Sequence, residues 1–206
     1  MKITGLYAIT DPNLSPGLVV VEHVRQALLG GARIIQYRDK TSPFEQQVAL
    51  AKQLKNLCHN NQAWLIINDS IELALACQAD GLHLGKDDTS LMQARKALGE
   101  QAIIGISCYN DLERAQQMQA LGANYVAFGR FYPSLTKPNA PQAELNTLCQ
   151  AKQTLDIPIV AIGGISQHNG AALIQAGADS LAVIQAVFAQ DDIYQAATDI
   201  SALFKV

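Results

Sequence analysis

Eight short β-branched runs alternate with amphipathic stretches along the 206 residues, four of the connections repeat one small-residue pattern, and polar residues close most of the runs. Together these predict an α/β fold of the (β/α)8 or TIM-barrel class, built as a single domain over residues 1–206. The runs are Leu6 to Thr10, Arg33 to Arg38, Trp64 to Asn68, Gly81 to Leu84, Ala102 to Ser107, Tyr125 to Gly129, Ile157 to Ile162 and Ser180 to Ile184. Helical spacing fills the intervals: Val21, Val24, Leu28 and Leu29 follow the first run, and Val48, Leu50, Ala51, Leu54 and Leu57 follow the second. The phrases GGARIIQ, QADGLHL, LGANYVAF and AGADSLAV each set glycine or another small turn residue between a helix end and the next strand, as helix C-termini favour. Eight units average about 26 residues, the compact end for such a barrel. A doubly wound open sheet needs fewer strands and usually GxGxxG after the first, where this chain reads DPNLSPG.

Composition narrows the function classes. Apolar residues make up 49% and charged residues 16%, which excludes a disordered or linker-like chain. Fifteen Lys and Arg against 18 Asp and Glu give a net charge of −3, so no global basic surface holds nucleic acid or an anionic membrane, and any anion is bound locally. No apolar run reaches the roughly 18 residues of a membrane helix, and the opening MKITGLYAITD carries no signal-like stretch. A cytoplasmic location is expected. Cys58, Cys77, Cys108 and Cys149 form no CxxC or compact metal pattern and are expected to be reduced, mostly buried thiols. Periodicity does not separate an interface from core, so a homo-oligomer stays open.

In such barrels the chemistry sits where strands end and βα loops begin. The second run ends in Gln36-Tyr37-Arg38-Asp39-Lys40, and the strand period puts Gln36, Arg38 and Lys40 on one face. Two cations and an amide suit a diphosphate; an Arg38 structural ion pair is the alternative. Asp69 follows a buried apolar run, as a metal ligand or as the N-cap of a helix starting near Ile71. Gly85-Lys86-Asp87-Asp88-Thr89 supplies further carboxylates, and Asp69 with Asp88 suits a magnesium ion shared with a diphosphate. His83 lacks an HxxxH or cysteine partner and reads as a packed barrel residue rather than a zinc ligand. Ser107 either donates to phosphate or caps the helix near Asp111.

The long loop from Gly129 to Pro138, carrying Ser134, Thr136 and Lys137, is expected to close over an anionic substrate. Gly163-Gly164 and Ile184-Gln185, after the seventh and eighth runs, form either a backbone phosphate site or, at the glycines, only a tight turn. Two anion pockets fit a reaction between two phosphorylated substrates, one with a diphosphate leaving group. No Ser–His or Cys–His nucleophile pair is suggested by position, which favours cation stabilisation of the leaving group over covalent catalysis.

The phrases LYAITD, QYRDK, IIND, GLHLGKDD, GIS, YVAFGRFYPSLTK, PIVAIGGI and ADSLAVI, in this order, make the chain resemble the thiamine phosphate synthase family over nearly its whole length. The resemblance implies a transferase of thiamine biosynthesis. It condenses 4-amino-5-hydroxymethyl-2-methylpyrimidine diphosphate with 4-methyl-5-(2-hydroxyethyl)thiazole phosphate, giving thiamine phosphate and pyrophosphate with Mg2+ through a dissociative, carbocation-like step. It further implies that Gln36 contacts the pyrimidine and that Arg38, Lys40, Asn68, Ser107 and Lys137 hold the diphosphate. Asp69 and Asp88 are the implied magnesium ligands, Ser134 and Thr136 belong to the substrate loop, and the amides of Gly164, Ile184 and Gln185 hold the thiazole phosphate.

Three positions depart from the family pattern: Ser70 stands where Arg is usual, Gln185 where Ser is usual, and Ser134 replaces a Thr. The rival on this fold is a thiazole tautomerase, which relies on a histidine shortly after the fifth strand, where this chain reads Ser107-Cys108-Tyr109-Asn110. A catalytically silent phosphate-ligand binding protein is the alternative of a different class.

Overall fold

The computed structural model describes residues 3–85, 90–133 and 141–205. In chain order the elements are β1 (Gly5–Ile9), α1 (Val19–Leu29), β2 (Ile34–Tyr37), α2 (Phe44–Asn60), β3 (Trp64–Asn68), α3 (Ile71–Cys77), β4 (Gly81–Leu84), α4 (Leu91–Leu98), β5 (Ile103–Tyr109), α5 (Leu112–Ala120), β6 (Tyr125–Phe128), α6 (Leu145–Thr154), β7 (Ile159–Ile162), α7 (Gly170–Gln175), β8 (Ser180–Val183), α8 (Gln185–Phe188) and α9 (Ile193–Ala202). The strands pair in sequence order, all parallel, and β8 closes on β1. A single-domain (β/α)8 barrel results.

The period-two alternation of each strand divides the apolar residues into two cores. Tyr7, Ile9, Ile34, Ile66, Tyr125, Ala127, Val160 and Ala182 fill the barrel interior. Their neighbours Leu6, Ala8, Ile35, Leu65, Ile67, Leu82, Ile104 and Val126 pack outward beneath the helices. On α1 the buried face is Val20, Val24, Ala27 and Leu28, whereas Leu29 is exposed. Val21 is partly buried against this core, so of the expected face only Leu29 points outward, and Ala27 takes its place on the packed side. Cys58, Cys77 and Cys108 are buried, Cys149 is exposed, and all four are free thiols. Among the described residues no helix is long and apolar enough to cross a membrane.

The repeated helix-to-strand phrases acquire a physical meaning at the bottom of the barrel. Asp80 donates its backbone N–H to the Leu65 carbonyl and accepts the Leu65 N–H on its side chain, at 3.0 and 2.8 Å. Asn124 repeats this with Ile104, at 2.8 Å in both directions, and Asp179 with Ile159, at 2.8 and 2.9 Å. A cation from the helix before each odd strand or within the unit completes every clasp: Lys55 on Asp80, Arg95 on Asn124 and Lys152 on Asp179. In the remaining quarter Arg33 makes the matching backbone bond to Leu6 with no side-chain counterpart among the described residues. Each clasp satisfies an N–H in the first or second residue of an odd strand.

Candidate active site

The strand ends differ from the expected runs in ways that shape the mouth. β2 stops at Tyr37 and β6 at Phe128, whereas β5 continues to Tyr109. The pairing of β5 with β6 shifts register between Ser107 and Tyr109, where Tyr109 adopts φ 57°. Past the end of β2, Thr10 Oγ1 accepts the Arg38 N–H at 3.0 Å, continuing the β1–β2 pairing through a side chain. Asp39 then ties the next turn by accepting from the Thr41 and Ser42 N–H groups and the Thr41 hydroxyl. Burial pushes the Asp39 carboxyl up, but these donors outweigh it and hold it below the ordinary value.

Those devices aim the polar side chains into one cavity of about 780 Å3, lined by Gln36, Arg38, Lys40, Asn68, Asp69, Ser107, Gly164, Ile184 and Gln185 among others. Asp88, Ser134, Thr136 and Lys137 lie outside the described residues. Lys40 Nζ pairs with Asp69 Oδ2 at 2.9 Å, the lysine more exposed than the aspartate. Asp69 sits in the left-handed region at φ 62°, its N–H bonded to the His83 carbonyl. A non-glycine residue in that region carries strain of about 1 kcal/mol or more and marks a position set by the surrounding structure.

The helix caps resolve two open alternatives. Ser70, not Asp69, caps α3 by accepting from Leu73 N–H, which leaves the Asp69 carboxylate facing the cavity. Where the family pattern has a cation, this chain thus has a helix cap. Asp111, not Ser107, caps α5, and the Ser107 hydroxyl instead meets His83 Nε2 at 2.9 Å.

His83 corrects the sequence reading. Taken as a packed barrel residue, it lines the cavity, and its Nδ1 lies 2.9 Å from the Tyr125 hydroxyl. Tyr125 in turn meets the Tyr7 hydroxyl at 2.8 Å, and Tyr7 accepts from Gln36 Nε2 at 2.8 Å. Five side chains from β2, β1, β6, β4 and β5 thereby form one chain across the cavity floor. Gly105, paired with His83 on one side and Tyr125 on the other, makes room for it. A Cβ there would stand 1.9 Å from Tyr125 Cζ, so the ring crosses β5 over a bare backbone and stacks on His83 at 5.6 Å. Burial raises the Tyr7 and Tyr125 hydroxyls well above the usual tyrosine value, so both keep their protons. A tyrosine in an inward strand position was the available signal, but it reads equally as core.

On the opposite wall Gly163 and Gly164 take φ 101° and 64°. They pack against residues 130–133, and a Cβ on Gly164 would meet the Pro133 carbonyl at 2.3 Å. The turn is therefore tight by necessity as well as open to the cavity. Phe131 and Tyr132 donate to the Ile162 and Gly163 carbonyls, anchoring the start of the long loop to the end of β7, while Arg130 bonds both ways with the segment 141–143.

A closed parallel barrel whose mouth sets cations, a carboxylate and glycine-bordered backbone around one cavity defines a barrel enzyme for phosphorylated small molecules. The family model described as thiamine monophosphate synthase matches residues 6–187. The thiamine-phosphate synthase of Nitrosococcus oceani is 51% identical over 196 residues, covering 95% of this chain and 90% of that protein. The corresponding protein of Methylococcus capsulatus is 48% identical, covering 97% and 89%. A thiamine phosphate pyrophosphorylase structure from Pyrococcus furiosus superimposes with a TM-score of 0.90 at 34% identity, covering 99% of this chain and 96% of that one. The chain belongs to the thiamine monophosphate synthase family, transferases that move a pyrimidinylmethyl group onto a thiazole phosphate with release of pyrophosphate.

Proposed function

We propose that the two walls of the cavity divide the substrates of this transfer: the β2 to β5 side takes the pyrimidine diphosphate, and the β7 to β8 side takes the thiazole phosphate. The observation that carries this is the asymmetry of the lining. Arg38, Lys40, Asn68, Asp69 and Ser107 gather on the first side, and Gly164, Ile184 and Gln185 border the second. Arg38 and Lys40 attract the diphosphate, and their charge counts most as negative charge grows on the leaving pyrophosphate. Asn68 and Ser107 orient it, with Lys137, from the loop after β6, in the same role. Gln36 meets the pyrimidine ring. The backbone amides of Gly164, Ile184 and Gln185 receive the second phosphate, while Ser134 and Thr136 act from the loop.

Magnesium fits this wall. Asp69 is a hard oxygen donor beside the cations. Such a donor suits an ion completed by substrate oxygens and water. Asp69 and Asp88 would hold it, and when bound it would neutralise part of the pyrophosphate charge. The thiazole nitrogen attacks the electron-poor methylene as pyrophosphate departs, within a cavity whose lining combines this polar floor with Ile9, Val160 and Ala182. A cytoplasmic setting agrees with four free thiols.

The test is pyrophosphate release by the purified protein with both substrates, with each alone, and with magnesium present or chelated. Release that needs both substrates and magnesium is expected. Arg38→Ala should raise KM for the pyrimidine diphosphate about tenfold or more, and Asp69→Asn should abolish the magnesium response. Turnover indifferent to chelation would remove Asp69 from the metal role.

A further inference from the structure

The floor chain has a direction, and the direction follows from the group at one end. Gln36 turns its amide nitrogen to Tyr7, and a nitrogen of that kind only donates. The Tyr7 oxygen is therefore an acceptor there, and its single proton goes to Tyr125. The Tyr125 proton goes on to His83 Nδ1, which must be the bare nitrogen of a neutral ring. The ring proton then sits on Nε2 and points at Ser107 Oγ, leaving the serine proton unspent. At the other end, among the described residues, the Gln36 carbonyl oxygen takes no hydrogen bond although the residue is 3% exposed.

We propose that Tyr7, Tyr125 and His83 are positioning residues that set the donor and acceptor polarity of the cavity floor. They hold the Gln36 carbonyl oxygen and the Ser107 hydroxyl proton for the ligand, so the site selects a ring bearing an amino donor over the same ring bearing an oxo acceptor. This rests on the reading that the pyrimidine diphosphate lies on the β2 to β5 wall. None of the three residues needs to touch a reacting atom. Together they couple the two ends: a flipped Gln36 would face Tyr7 with an oxygen and would require every bond along the chain, the one to Ser107 included, to reverse with it. A site built around a fixed acceptor rejects an acceptor on the ligand, because two lone pairs are then buried against each other.

The experiment reads binding rather than turnover. Calorimetry in magnesium buffer compares the 4-aminopyrimidine diphosphate with its 4-oxo counterpart on the wild-type protein, Tyr7→Phe and Tyr125→Phe. The wild type should prefer the amino ring by about 100-fold or more. Tyr7→Phe frees the Gln36 amide to rotate and should cut that preference to below about tenfold, with thiazole phosphate affinity within about twofold of wild type. Equal binding of both rings by the wild type, or an unchanged preference in both variants, overturns the proposal. Nitrogen-15 spectra of the histidine-labelled wild-type protein, assigned by comparison with His83→Asn, give a second readout that does not depend on how the tyrosine variants fold. The Nε2–H tautomer is expected at His83, and an Nδ1–H tautomer reverses the chain and sinks the proposal. A protein that binds the amino ring selectively but releases no pyrophosphate would instead overturn the roles assigned to Arg38 and Lys40.

Discussion

The hydroxyls of Tyr7 and Tyr125, 118 residues apart in sequence, meet at 2.8 Å inside the closed barrel. Both are buried, and the two rings meet edge to face with centroids 6.1 Å apart. Removing either oxygen strands a buried partner. Tyr7→Phe leaves Gln36 Nε2 without an acceptor and the Tyr125 oxygen without a donor, at a cost of about 2 kcal/mol. Tyr125→Phe should cost a similar amount, and the double variant should lose about 1 kcal/mol less than the sum. Urea unfolding of the four proteins measures the coupling, and strict additivity would show that the two hydroxyls do not interact.

Gly105 sets the position of Tyr125 by having no side chain. Gly105→Ala forces its Cβ into the tyrosine ring, and the ring cannot yield because it is fully buried. A loss of about 2–3 kcal/mol is expected, as for other overpacked cores. Pairing the change with Tyr125→Leu should recover most of that loss without restoring turnover. Thermal unfolding and steady-state kinetics on the single and double variants decide it.

The clasps at the barrel bottom act on stability alone. Asp80, 8% exposed, serves Leu65 N–H, Lys55 and His59 at once. Asp80→Ala should therefore cost about 3 kcal/mol, since it strands a strand N–H and a largely buried ammonium. Asp179, whose partner Lys152 is 53% exposed, should cost about 1–2 kcal/mol. Turnover per folded molecule should stay at the wild-type level in both, because the cavity opens at the other end of the strands. A fall in kcat for either folded variant would tie the bottom of the barrel to the chemistry.

Thiol reactivity should follow burial. Burial pushes Cys58 and Cys108 up to about 12 and raises Cys77 as well. At pH 8 these three stay protonated and out of reach, so a chromogenic disulfide reagent should label Cys149 alone in the native protein and all four thiols after denaturation. A second fast-reacting thiol in the native state would mean that the barrel opens on the labelling timescale.

Much of this molecule was legible in its order of residues. Eight runs with a two-residue alternation, helices between them and small-residue connections suffice for the barrel, because each unit buries its faces against its neighbours in the same way. The polar residues at the ends of the second, third and fifth runs were legible as well. A parallel barrel delivers the C-terminal ends of all its strands to one rim, so Gln36, Arg38, Lys40, Asn68, Asp69 and Ser107 could be assigned to a common mouth from position alone. The repeated phrases marked the helix-to-strand joints, though not the side-chain clasps they encode.

Three things were decided only by the tertiary structure. Whether Asp69 or Ser70 caps α3 depends on a backbone angle at Asp69, and both residue types cap helices equally well in sequence. Whether Leu29 or Ala27 joins the buried face of α1 depends on how that helix sits against its neighbours α2 and α9. The floor chain is the clearest case. Tyr7, His83 and Tyr125 each occupy an inward strand position, which a sequence shows only as core, and their hydrogen bonds join strands that are far apart along the chain. Periodicity is a property of neighbouring residues and reports which wall a side chain faces. Which polar atoms then meet is set by closure of the barrel and by the space left at Gly105, and those are properties of the whole ring of strands.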